Sequence, residues 1–133
     1  MSCNAKPVTL YGIEISLVDF YSYVKDVPDV KSAYDWVSNE GILSKQEDIL
    51  EEVFFGEIGT YETFAEFKRD LEIRSRVECY GDRDSRRLWI GKEYKCMRKN
   101  ETKSQFQKSI EDLILKIFGD KFKCSKIEEC FEV

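Results

Sequence analysis

The chain contains no histidine. Its absence removes the side chain whose ordinary pKa lies nearest neutrality, the usual partner of a serine or cysteine nucleophile, and the commonest metal ligand. Also missing are a Gly-x-Gly-x-x-Gly phosphate loop, a Gly-Lys-Ser/Thr loop and a Gly-x-Ser-x-Gly elbow. Most hydrolase and nucleotide-transfer templates fail at that step, so the expectation is a protein that is not an enzyme.

Long apolar runs are absent as well; Leu113-Ile114-Leu115 is typical of the longest. The N-terminus lacks a charged region followed by an apolar segment, so neither a membrane span nor a secretory route is expected. The five cysteines, Cys3, Cys79, Cys96, Cys124 and Cys130, are odd in number and irregularly spaced, unlike a disulfide framework. They read as reduced thiols of a cytoplasmic protein, which makes the glycosylation pattern Asn100-Glu101-Thr102 a chance match. Cys124 and Cys130 are the nearest pair, too far apart and too isolated for a thiolate zinc site. No metal or other cofactor is expected. The doublets Glu51-Glu52 and Glu128-Glu129 do not converge, since neighbours on a helix point about 100° apart.

What is present suits one globular domain over residues 1–133, with 1–6 as a flexible lead-in. The composition is 42% hydrophobic, 14% aromatic and 35% charged, enough apolar material for a core beneath a well-solvated surface. Val8 to Ile15 alternates as a strand, with Gly12 marking a bulge or a close backbone approach. Ser16 and Asp19 then cap a short helix with the stripe Leu17, Phe20, Tyr21 and Val24, ended by Pro28. A second helix opens at Asp29, carries Val30, Ala33, Tyr34 and Val37, and stops at Gly41. A third starts at Ser44 with Glu47 as a capping box and carries Leu50, Val53 and Phe54. A fourth helical pattern covers Tyr61 to Glu72.

The period then changes to alternation. Ile73 to Tyr80 and Leu88 to Tyr94 flank Gly81-Asp82-Arg83-Asp84-Ser85 as a hairpin. Thr102 and Gln105 cap the clearest helix, whose face is Phe106, Ile110, Leu113, Ile114, Ile117 and Phe118 and whose stop is Gly119. A last strand runs from Phe122 toward Phe131. The expected fold is α+β: a small, mostly antiparallel sheet of an N-terminal strand, a central hairpin and a C-terminal strand, packed by several short helices and a C-terminal amphipathic helix.

Charge is sorted along this chain. Residues 1–70 hold 14 Asp/Glu against 6 Lys/Arg, residues 71–103 hold 10 Lys/Arg against 6 Asp/Glu, and the overall charge is −5. Two rival surfaces follow. Glu47, Asp48, Glu51, Glu52, Glu57, Glu62 and Glu66 form an acidic one able to imitate a phosphate backbone and fill a basic channel, although helix capping and solvation also favour Glu there. Arg74, Arg76, Arg86 and Arg87 with Tyr80 and Trp89 form a basic, aromatic hairpin able to hold phosphate and stack on a base, or simply to guard a sheet edge with charge. Tyr23, Trp36 and Tyr61 are the aromatic candidates for a contact surface, Tyr23 and Trp36 because they fall off their helices' apolar stripes.

The leading expectation is a small intracellular inhibitor or adaptor that binds another protein, such as a nucleic-acid-binding enzyme. Its general type is that of phage or mobile-element accessory proteins that block host defence enzymes. The alternative is a protein binding a nucleotide or small phosphorylated ligand at hairpin 74–99. Self-association of acidic on basic surface is a further expectation.

Overall fold

Val8, Leu10, Tyr11, Ile13 and Ile15 give the first strand apolar side chains on both faces, which suits a central rather than an edge position. The computed structural model describes residues 7–55, 70–75 and 87–130. In it β1 (Pro7–Ser16) lies between β3 (Arg87–Glu93) and β4 (Ser125–Cys130), with β2 (Glu72–Ser75) outside β3. All three pairings are antiparallel, with Ile13 opposite Ile90, Leu10 opposite Ile127 and Ile73 opposite Ile90. Together with the helices below this is the expected small α+β fold.

One face of the sheet packs under helices. Tyr11, Ile13, Ile15, Ile73, Leu88 and Ile90 are buried there against α1 (Leu17–Val24), α2 (Pro28–Asn39), α3 (Gln46–Phe55) and α4 (Lys103–Phe118). Phe20 sits at the junction, edge-on to Phe54 at 5.2 Å and tilted to Phe118 at 6.3 Å, so its ring joins three helices. No described helix is long and apolar enough to cross a membrane.

The opposite face carries a smaller cluster. Leu10 is 0% exposed and Trp89 3%, with Val8 and Ile127 half-buried beside them. Leu10 faces Glu93 and Trp89 faces Glu14, so the two are well out of register; between them lies the pair Gly12–Gly91. The indole reaches Leu10 across the space two missing side chains leave. The same pair is a close backbone approach: a Cβ on Gly12 would run into the Ile90 carbonyl and come within 2.7 Å of Gly91 Cα, and one on Gly91 would meet the Tyr11 carbonyl. Of the two readings of Gly12, close approach is the one realised.

The caps follow local chemistry. The Ser16 side chain accepts from the Asp19 amide at 3.1 Å to start α1. Thr102 and Gln105 form the full reciprocal box at 3.1 and 2.9 Å. Gly41 and Gly119 take positive φ just past α2 and α4, as helix-terminating glycines do.

Several boundaries differ from expectation. Pro28 does not end an element; it is the first residue of α2, where its missing N–H costs nothing, and Val27 is the N-cap in place of Asp29. The third helix starts at Gln46, two residues after Ser44. Glu72 belongs to β2 rather than to the fourth helical pattern, most of which, with the hairpin turn and residues 1–6, lies outside the described residues. Tyr94 leaves the strand and opens a 3-10 turn (Tyr94–Cys96), because its ring packs on Phe106 at 5.4 Å and Tyr11 at 6.3 Å. Phe122 precedes β4 and packs on Phe118 at 5.7 Å.

Candidate functional site

The helix α3 reads Gln-Glu-Asp-Ile-Leu-Glu-Glu-Val-Phe-Phe, with no basic residue. At about 100° per residue, Ile49, Leu50, Val53 and Phe54 converge on one side and are buried. Glu47, Asp48, Glu51 and Glu52 fall on the other arc, all half-buried, with exposed Phe55 in its middle. Glu47 and Glu51 also interact within the chain. Four carboxylates over residues 47–52 amount to one charge per roughly 2 Å of helix axis, close to the ~1.7 Å per charge of duplex DNA. The remaining acidic candidates, Glu57, Glu62 and Glu66, lie outside the described residues.

The aromatic candidates separate. Trp36 is 51% exposed on α2, and Ile42, just beyond that helix, is 79% exposed. Tyr23 is turned inward instead, edge-on to Phe118 at 5.0 Å and to Phe122 at 6.1 Å, where it seals α1 against the end of α4. Its departure from the α1 stripe reflects this second packing direction. Tyr61 lies outside the described residues. Exposed Ile42 and Phe55 were not singled out from sequence, since a lone apolar residue beside a helix end carries no periodic signal.

Two of the six hairpin candidates are engaged inside the fold. Arg74 bridges Glu72 and Glu93 at 3.0 Å each. Trp89 is buried, which leaves it no face for a base to stack on. Arg87 is exposed, with Glu14 at 3.6 Å. Arg76, Tyr80 and Arg86 lie outside the described residues.

The Arg74 network was invisible to sequence because its members come together only across strands. Glu93 is 6% exposed, the one buried charged side chain among the described residues. It is met by Arg74 and by Lys95 at 3.4 Å. Cys96 donates to Glu72 at 3.7 Å. One ligand atom each from Glu72, Glu93 and Cys96 lies within 4.8 Å of the others, but the Arg74 guanidinium already supplies the positive charge between the two carboxylates. Burial and the Glu72 charge push the Cys96 thiol up, away from the thiolate a metal or a nucleophile needs.

A second polar group joins β1 to α4. Tyr11 donates to Glu111 at 2.5 Å, and Gln107 donates to the Tyr94 hydroxyl at 3.1 Å. Burial and then the Glu111 hydrogen bond raise the Tyr11 phenol. Burial, then Glu111, raises Cys124 to about 11. Each of these groups is held in its neutral form at neutral pH, the opposite of a poised base or nucleophile.

Comparison of the chain with protein-family models, with curated proteins and with solved structures finds no match to any of them, so the acidic arc of α3 is read from its own geometry.

Proposed function

We propose that the chain is a non-enzymatic, intracellular binding protein, an inhibitor or adaptor that occupies a basic, nucleic-acid-binding surface of another protein. The observation carrying this reading is the α3 arc: Glu47, Asp48, Glu51 and Glu52 at nearly the linear charge density of a duplex, on a rigid helix whose opposite side is anchored in the core. Exposed Phe55 within the arc and exposed Trp36 on α2, which packs against α3, add apolar anchor points of the kind that dominate protein interfaces. Thiols and a phenol pushed toward their neutral forms favour a binding role over catalysis, and free Cys96 and Cys124 suit a reducing compartment. A phage or mobile-element protein that blocks a host nuclease is the type of molecule such a surface suits.

The test is titration of the protein into a panel of nucleases at low salt, with duplex DNA as competitor. A complex is expected with at least one enzyme. DNA should displace it, and Asp48→Asn with Glu52→Lys should weaken it at least about tenfold. No complex at low salt, or one indifferent to the double substitution, overturns the reading.

A further inference from the structure

We propose that β4 is a self-recognising edge, through which two copies of this chain pair antiparallel about a two-fold axis at Ile127. Among the described strands β4 is terminal in the sheet, paired with β1 on one side only. Such an edge presents a row of backbone donors and acceptors to another strand. Charged side chains usually blunt that invitation, but here the charges are opposite and two residues apart. Lys126 and Glu128 share the helix-side face, both exposed, with Nζ and Oε1 3.3 Å apart.

An antiparallel copy centred on Ile127 sets Lys126 of each chain opposite Glu128 of the other, forming two cross-strand ion pairs. Moving the axis one residue either way brings Lys126 onto Lys126 or Glu128 onto Glu128. An axis between residues would pair side chains of opposite faces. The charge pattern therefore selects one register. Apolar packing favours the same register. Ile127 is half-buried on the other face, opposite Leu10 at the lip of the Leu10–Trp89 cluster. At the axis it meets its own copy, which extends that cluster from one sheet into the next. Six residues of strand make a small interface, so the association is expected in the micromolar range and to weaken with salt.

This inference is independent of the α3 arc, and sedimentation velocity on the full chain tests it separately. At about 50 mM salt the wild type should show a concentration-dependent dimer. Lys126→Glu or Glu128→Lys alone places like charges opposite each other and should raise the dissociation constant on the order of tenfold. The two together reverse both charges, restore the complementarity and should restore the dimer. The rescue shows that loss in the single variants is not loss of folding. A wild type that stays monomeric at about 100 µM overturns the inference. So does a dimer that the single substitutions leave unchanged, or one the double substitution fails to restore.

Discussion

Gly12 and Gly91 show how much a single missing side chain fixes. Each stands where a Cβ would run into backbone of the neighbouring strand, and the space above them is crossed by Trp89 on its way to Leu10. Gly12→Ala and Gly91→Ala are each expected to cost about 1–3 kcal/mol, because backbone cannot yield as a side-chain tip can. A lowered urea midpoint at unchanged slope is the readout, and Gly41→Ala is a poor control because that residue needs positive φ. Cys124 sets a pH dependence. Its pKa is raised from 9.0 to about 11 by burial and then by Glu111. A raised pKa means the folded state holds the proton more tightly, so the stability it contributes is fully present below pH 9 and is lost as pH rises through 11. The stability difference between wild type and Cys124→Ala should stay constant up to pH 9 and shrink between pH 9 and 11, in melts at fixed ionic strength. Residue identity was legible in sequence at Gly12, but not the fate of Arg74 or Trp89. Both read as outward-facing ligand groups, and the strand pairing turns one onto two carboxylates and the other onto Leu10.

At the scale of elements, legibility follows how local the cause is. The helix α4 could be read end to end because its signals lie within its own turns: the Thr102–Gln105 box, the stripe Phe106, Ile110, Ile114 and Phe118, and Gly119. Thr102→Ala removes one acceptor from an exposed cap and should cost about 1 kcal/mol, seen in the thermal midpoint. The α3 start was read two residues early, because a Ser-x-x-Glu spacing is necessary for a capping box and not sufficient. Pro28 was read as a stop although proline suits a first helical turn as well as a break; the preceding turn, with the Val27 amide donating to the Val24 carbonyl at 3.1 Å, decides between them. Strand β4 was legible only in outline. An edge strand needs one apolar anchor, Ile127, so its alternation is faint.

At the scale of the whole molecule, the partition of charge along the chain becomes a partition between layers. Residues 28–55, which contain α2 and α3, carry seven acidic side chains against two basic ones. The basic segment is partly neutralised within the sheet by the Arg74–Glu72–Glu93–Lys95 network. The acidic surface is accordingly the one with uncompensated charge, and Asp48→Asn with Glu52→Lys should relieve its self-repulsion, shifting stability by no more than about 0.5 kcal/mol while removing partner binding. By itself the sequence determined the α+β class, the long capped helix, the N-terminal strand and the sorting of charge, since these depend on side chains three or four residues apart and on composition. Only the tertiary structure decided that Tyr23 and Trp89 face inward, that Arg74 is an internal counter-ion, that Trp36 stays at the surface and that β4 lies at an edge. Those outcomes depend on which distant strands and helices become neighbours, and no local spacing encodes that.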